Sequence, residues 1–281
     1  MALAYDTERI AAFYDDYGER EWERLESDPS GEVKFINHAR LIRRYLPPDA
    51  LVLDAGCGPG RFAIELARLG ARVVLADLSA EQLALAQEKV SQAGVAERIV
   101  GVHQVDICDL SLFEDGRFDM TICYGGALSY VLERRDRALV ELIRVTHPGG
   151  LLLLGVASLF GTLQTPARTG AAYFFANPDR FALWQVLETG DKPEIKGFEH
   201  PALHLFHAAE LREWLEAHGC QVLEIAASNV LALYGADIAP IHADPAAWKT
   251  LLALEERLCT APGLLDCGSH IIAAVRTPRA M

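Results

Sequence analysis

Three aspartates, a glycine turn and a cluster of histidines carry the residue types from which chemistry could be built in this chain. Leu51-Val-Leu-Asp-Ala-Gly-Cys-Gly-Pro-Gly60 joins a short apolar run to three glycines on alternate positions, Gly56, Gly58 and Gly60. Asp54 stands directly before the turn, Asp77 closes a second apolar run from Val73 to Ala76, and Asp106 closes a third from Arg98 to Val105. A glycine turn at the carboxyl end of a buried strand presents bare backbone to a ligand. The dinucleotide spacing Gly-x-Gly-x-x-Gly is not met here, and a carboxylate before the turn would repel a pyrophosphate. Asp54 suits a ligand bearing an ammonium group, and Asp77, 19 residues beyond Gly58, stands near the offset at which an acidic side chain meets ribose hydroxyls. Farther along, His200-Pro-Ala-Leu-His204-Leu-Phe-His207 is the densest histidine cluster, with Tyr130 and His38 as further groups able to move a proton.

An ammonium, a ribose and no phosphate together describe S-adenosylmethionine. Val52-Leu-Asp-Ala-Gly-Cys-Gly-Pro-Gly60 with Ala76-Asp-Leu-Ser79 resembles the first two motifs of the class I S-adenosylmethionine-dependent methyltransferases of small-molecule type. The resemblance continues through Asp106, Phe118-Asp119 and Pro148-Gly-Gly150 and covers residues 50 to 157. It implies an α/β fold: a doubly wound, mostly parallel sheet of about seven strands with an antiparallel last strand. It also implies roles for particular residues. Asp54, Gly56, Gly58, Asp77 and Leu78 fall in the two motifs. Asp106 matches the position where a carboxylate accepts from the adenine amino group, and Ile107 the position that packs on the ring. Gln82 falls where related enzymes often place a residue along the adenine; a plain surface glutamine is the other reading. Cys123 and Tyr124, at the end of the fourth strand, approach the methionine half of the cofactor. In similar enzymes a leading helical segment folds over the cofactor as a lid. Tyr14 or Trp22 would serve there through an aromatic face turned to the sulfonium, or would simply staple the helix to the body.

The elements that must position these residues follow from periodicity. Residues 1–46 read as a leading helical segment, with amphipathic helices over Thr7 to Tyr14 and Val33 to Tyr45 and a turn at Asp28-Pro-Ser-Gly31 between them. Residues 47–157 read as the cofactor-binding core. Ser79 is a good N-cap for a helix from Ala80 to about Ala93, Phe118 to Cys123 is the fourth strand, and Glu133 to Val145 is a helix. Pro148-Gly-Gly reads as a turn feeding the fifth strand. Residues 208–281 supply a helix over Ala208 to Gly219, a strand over Cys220 to Ala226 and a last strand over Gly268 to Arg276. Two stretches are surplus to that sheet: residues 158–207, read as a substrate cap, and residues 229–267, in which Asp244 caps a helix with Pro245 at its first position. The leading segment and the cap would close over one site or form a homodimer contact.

With 281 residues, 51% hydrophobic and 23% charged, the chain is long and apolar enough for an ordinary globular core. A formal net charge of −13 argues against a nucleic-acid partner, because phosphate contacts need a basic face. The six cysteines are scattered without Cys-x-x-Cys or zinc spacing, so buried thiols are expected and neither disulfides nor a metal. No run approaches bilayer length, and Met1-Ala-Leu-Ala-Tyr-Asp-Thr-Glu8 lacks a basic region followed by an apolar core, so a cytoplasmic protein away from membranes is expected.

Methyl transfer from a sulfonium is an in-line displacement in which proximity supplies most of the rate, and a base is needed only when the acceptor carries a proton that must leave. His200, His204, His207 and Tyr130 are the candidates for that base. No Asn/Asp-Pro-Pro-Tyr follows the fourth strand, which disfavours planar-nitrogen methylation, and no Asp directly follows it, which disfavours a magnesium-dependent catechol-type site. The expectation is methylation of a small molecule, with oxygen or carbon favoured over nitrogen or sulfur. A protein that binds the cofactor without turnover, as an accessory or regulatory subunit, is the alternative; an oxidoreductase on the same fold class is a more distant third.

Overall fold

The structure, a computed structural model, describes every residue except 1–2, 27, 170, 198–199, 232, 234–236 and 280–281. Seven strands form the main sheet: β1 (Leu51–Ala55), β2 (Arg72–Asp77), β3 (Ile99–Gln104), β4 (Phe118–Cys123), β5 (Thr146–Ala157), β6 (Gln221–Ser228) and β7 (His270–Arg276). Their spatial order is β3-β2-β1-β4-β5-β7-β6. The first five run parallel, and β7 lies antiparallel between β5 and β6. The order reverses between β1 and β4, which is where a doubly wound sheet leaves a crevice at its strands' carboxyl ends.

Side-chain alternation explains why the strands read as unbroken apolar runs. Val52 faces one core layer with Val73, Leu75, Met120 and Ile122, while its neighbour Leu53 faces the other with Val74, Phe118 and Leu152. Helices cover both faces, so a polar residue on either side would be buried. Thirteen described helices can be named in chain order. The leading three are α1 (Thr7–Tyr17), α2 (Glu19–Glu23) and α3 (Pro29–Tyr45). Within the core come α4 (Arg61–Arg68), α5 (Ala80–Gln92), α6 (Ala127–Tyr130) and α7 (Arg135–Val145). Residues 158–207 hold α8 (Leu159–Thr169), α9 (Ala171–Ala176) and α10 (Leu183–Thr189), with a two-stranded ribbon pairing Asp191–Lys192 with Leu203–His204. The last are α11 (Ala208–Ala217), α12 (Ala239–Ala243) and α13 (Pro245–Leu258).

Caps account for most helix starts. Ser79 Oγ accepts from Gln82 N at the head of α5, and Asp244 accepts from Ala246 N and Ala247 N ahead of Pro245 in α13, as expected. Two expectations need correcting. Asp28-Pro-Ser-Gly31 is not a turn before the third helix but its first turn: Asp28 accepts from Ser30 N at 3.0 Å with Pro29 at the first helical position. Gly31 has to be small there, because an added Cβ would lie 2.6 Å from the Arg24 carbonyl oxygen. Likewise Pro148-Gly-Gly150 lies inside β5, which begins at Thr146 and shifts register against β4 between Phe118 and Met120. That irregularity accommodates Gly149 at φ 75° without ending the strand.

Five cysteines are buried and Cys267 is half-buried; none is in a disulfide. Among the described residues no helix is long and apolar enough to cross a membrane.

Candidate active site

The crevice between β1 and β4 opens into a cavity whose floor is the glycine turn and whose roof is α1. Gly56 N and Cys57 N both donate to the Ala76 carbonyl, at 2.8 and 3.1 Å, which folds the turn back over β2. Gly56 cannot carry a side chain, since it has φ 74° and an added Cβ would lie 2.9 Å from the Cβ of Ala127. Asp77 holds the turn from the next strand: Oδ2 accepts from Gly58 N at 2.7 Å and Oδ1 from Ser79 N at 2.9 Å. Burial pushes the Asp77 carboxyl up to about 6, against the pull of those backbone donors.

Asp54 is buried beneath the same turn, and its Oδ2 has no hydrogen-bond partner. Burial first, and the nearby Asp77 charge second, push its carboxyl up to about 8. Two neighbouring carboxyls raised in this way, one with an orphaned oxygen, form a site that a cationic group would relieve. Asp106, beyond β3, accepts from Cys108 N at 2.8 Å through Oδ1, and burial together with the Asp106 charge pushes the phenol of Tyr5 up.

Of the residues expected at the site, Tyr14, Gly56, Gly58, Asp77, Leu78, Asp106, Ile107, Tyr124 and Tyr130 line this one cavity. Three do not. Trp22 faces a separate groove, where Arg61 lies 3.8 Å and Lys89 4.8 Å from its ring centroid, so it staples α2 to α4 and α5. Gln82 is fully buried and its Nε2 donates to the Tyr14 and Gly18 carbonyls at 3.0 and 3.1 Å, so its amide holds the end of α1. Cys123 is enclosed in the core on β4, and burial pushes its thiol up.

The histidine cluster is divided in the same way. His200 touches a cavity-lining residue, with Nε2 3.3 Å from the Tyr130 hydroxyl and Nδ1 3.0 Å from the Pro201 carbonyl oxygen. His204 points into the protein, held between Asp191 at 2.7 Å and Glu210 at 2.7 Å. His207 serves as the N-cap of α11, and its ring meets Phe160 edge-on. The spacing therefore does not bring the three imidazoles together, because the ribbon and the helix cap turn them to different sides. Among the described residues no group of three or more His, Cys, Asp or Glu side chains is arranged to hold a metal ion.

Sequence reasoning missed Tyr5, Ile10 and Glu21 in the cavity wall. A signal for two of them was present. Asp6 caps α1 by accepting from Arg9 N, which makes Tyr5 and Ile10 the flanking and fourth-position apolar pair of a hydrophobic staple. Ile10, Ala11 and Tyr14 then lie on one helical face.

Residues 52–150 match a family model described as a methyltransferase domain. The ubiquinone biosynthesis O-methyltransferase of Xanthomonas axonopodis pv. citri is 30% identical over 70% of this chain and 74% of that protein. The chain is a class I S-adenosylmethionine-dependent methyltransferase. The tRNA 5-carboxymethoxyuridine methyltransferase of Escherichia coli K12 is 25% identical over 95% of this chain and 96% of its own length. Among solved structures, the magnesium protoporphyrin IX methyltransferase from Synechocystis PCC 6803 with bound SAH superposes with a TM-score of 0.59 at 17% identity, covering 98% of this chain and 99% of that one. S-adenosylmethionine is thus the cofactor of this methyltransferase, and the cavity's donor set of carboxylates and bare backbone fits a cationic nucleoside.

Proposed function

We propose that the enzyme methylates an oxygen, or an activated carbon, of a small molecule seated between the leading helices and residues 158–207. In this reading Gly56 and Gly58 give their backbone to the cofactor's methionine half beside Tyr124. Asp54 neutralises the cofactor's cationic end, Asp77 receives ribose hydroxyls on its remaining lone pairs, and Asp106 with Ile107 takes the adenine. S-adenosylmethionine, when bound, supplies a methyl carbon on a sulfonium with a good leaving group.

The observation that carries the reading is a hydrogen-bonded chain from the cavity wall to the cap. The ring of Tyr14 meets that of Tyr130 edge-on, with centroids 5.8 Å apart. Tyr130 in turn faces His200 Nε2 at 3.3 Å, and the Pro201 carbonyl takes the Nδ1 proton. That second contact fixes the tautomer, so Nε2 presents a lone pair. Burial raises both phenols, so neither ionises unaided at neutral pH. Burial, with Lys192 next, lowers His200, which keeps the imidazole neutral and able to accept. A proton leaving an acceptor hydroxyl would pass to Tyr130 as Tyr130 passes its own to His200. Such acid–base assistance is worth about 10²–10⁴ in rate.

The test is incubation with S-adenosylmethionine and a metabolite library, read as release of S-adenosylhomocysteine. An acceptor-dependent release is expected, with Tyr130→Phe and His200→Ala lowering kcat about 100-fold or more while affinity for S-adenosylhomocysteine stays within twofold. No release above the acceptor-free rate would leave the non-catalytic, cofactor-binding role standing.

One observation favours a second reading, a tRNA acceptor: the relative matched over nearly the whole chain is a tRNA methyltransferase. The net charge of −13 runs against it, since phosphate contacts need cations. Tritiated methyl transfer to tRNA bearing 5-carboxymethoxyuridine, compared with the library, separates the two.

A further inference from the structure

Of the three imidazoles in the histidine cluster, His204 alone is buried, at 3% exposure, and the chemistry just described leaves it unused. Its Nδ1 lies 2.7 Å from Asp191 Oδ1 across the ribbon, and its Nε2 lies 2.7 Å from Glu210 Oε1 on α11. An ionised carboxylate only accepts, so both ring nitrogens have to donate, and the ring that meets this geometry is the imidazolium. The ring is tightly enclosed. A Cβ added to Gly190 would lie 2.7 Å from His204 Cε1, and Phe206 meets the ring edge-on with centroids 4.6 Å apart.

Glu210 is committed on both oxygens. Its Oε2 accepts from His207 N at 3.3 Å in the capping box of α11, which leaves Oε1 for His204. Burial raises the Glu210 carboxyl, but the His204 hydrogen bond and charge, the His207 amide and the Arg135 charge on α7 together hold it below its usual value. From the ribbon, Asp191 faces the ring, while the next residue, Lys192, points to the other side and acts on His200. The run that carries His204 joins the cap to the site. Leu205 N donates to the Gly190 carbonyl and Phe206 N to the Ala157 carbonyl, both at 2.8 Å, so the run bridges the ends of α10 and β5. Leu203 and Leu205 bury into a cluster with Ala157, Leu159 and Val186, and Tyr130 packs against that cluster. Four residues before His204, His200 meets the Tyr130 hydroxyl. His200 is itself exposed and its Nδ1 partner is the carbonyl of its own neighbour, Pro201, so its place depends on what anchors the run behind it.

We propose that His204 is a positioning residue of this methyltransferase: its imidazolium clasps the ribbon to α11 and so holds His200 against Tyr130. The inference rests on the reading above for the role of the Tyr130–His200 pair; the clasp itself does not depend on which acceptor is methylated. Packing alone would be served as well by an apolar side chain, because bringing three charges out of water costs desolvation. What an ionic triad of this kind adds is register. Here the register is that of the cap against the end of β5, and it is set four residues from the ring that would take the acceptor's proton.

The experiment uses the full chain labelled with ¹⁵N-histidine and saturated with S-adenosylhomocysteine, read by NMR at pH 7. His200→Ala assigns one ring, and contact with the Phe206 ring assigns His204. Wild type is expected to show both His204 nitrogens protonated, and Glu210→Gln to return a neutral ring. Asp191→Ala removes only the ribbon's part of the clasp and leaves α11 capped. That variant is expected to move the His200 Nε2 resonance to the position it takes in Tyr130→Phe. In the acceptor assay its kcat should fall at least about tenfold with affinity for S-adenosylhomocysteine within about twofold, since a displacement of about 1 Å can cost about 10²-fold in rate. A neutral His204 ring in wild type, or kcat unchanged in Asp191→Ala, would overturn the proposal, and the wild-type spectrum decides the first point even where a variant does not fold. A His200 resonance that moves in Tyr130→Phe but not in Asp191→Ala would overturn it too and leave the proposed function standing. One that moves in Asp191→Ala but not in Tyr130→Phe would overturn the role given to the Tyr130–His200 pair and leave the clasp.

Discussion

Asp77 is committed on both oxygens before any ligand arrives, because Gly58 N and Ser79 N each donate to it. The carboxylate thus both shapes the turn and faces the cavity, and its removal should act twice. Charge-assisted bonds of this kind contribute about 1.5–3 kcal/mol each, and about 1.4 kcal/mol is tenfold in affinity. Calorimetry should find Asp77→Ala at least about 100-fold weaker for S-adenosylhomocysteine. Asp77→Asn, which retains one acceptor oxygen, should fall between that variant and wild type. Unchanged affinity in Asp77→Ala would remove the basis for the assignment of the turn. Asp77 was legible in the sequence because a lone carboxylate at the end of an apolar run has few structural uses. Tyr130 and His200 were legible only as residue types, since 70 positions separate them and nothing local in the sequence brings them to 3.3 Å.

At the scale of elements, α1 is held over the cavity by several ties, Asp15 with Ser79 among them, and two of the others are unlike in kind. One is a surface ion pair, Arg9 with Glu194 at 2.9 Å, linking α1 to residues 158–207, with both side chains more than a third exposed. Such pairs contribute about 0–1 kcal/mol and are screened by salt. The other is buried: Gln82 on α5 donates to two carbonyls at the end of α1. Removing those donors leaves acceptors unsatisfied, at a cost of about 1–3 kcal/mol. Gln82→Ala should therefore speed S-adenosylhomocysteine dissociation about tenfold in surface plasmon resonance, and Arg9→Ala by less than about threefold. The reverse order would mean that the cap, and not α5, governs the roof. The parallel core was readable because strands buried on both faces leave continuous apolar runs, and because Ser79 and Asp244 announce their helices. The 158–207 segment was not. α10, for example, follows Ala182 at its N-cap position, an alanine at φ 50° that makes no side-chain cap, a conformation its own sequence would not select. His204 and His207 fell to opposite roles because one sits in a paired ribbon and the other at a helix start, a difference set by partners distant in sequence.

For the whole molecule, the same carboxylates that suit a cation make the cofactor-free fold sensitive to pH. Asp54 is raised from its ordinary 3.8 to about 8 in the folded chain. Between those values the folded state binds more protons at this position than the unfolded state does, so the slope of stability against pH is negative. The contribution is absent below about pH 4, grows as a penalty through the neutral range and levels off above about pH 8. Asp77, raised to about 6, acts in the same direction over a narrower window. Carboxylates elsewhere that are held low, such as Glu141 beside Arg144, pull the opposite way, so the raw melting curve mixes the two. The difference between Asp54→Asn and wild type isolates the buried group. Thermal melts of the cofactor-free proteins should coincide near pH 4. Asp54→Asn should gain progressively up to pH 8, and the gap should then stay constant. With saturating S-adenosylmethionine the wild type should recover the gap at pH 8, because a bound cation offsets the buried negative charge that the variant lacks. A gap that is flat from pH 4 to pH 8 would show that Asp54 keeps an ordinary carboxylate's affinity for protons, and that the orphaned oxygen beneath the turn does not await a cation.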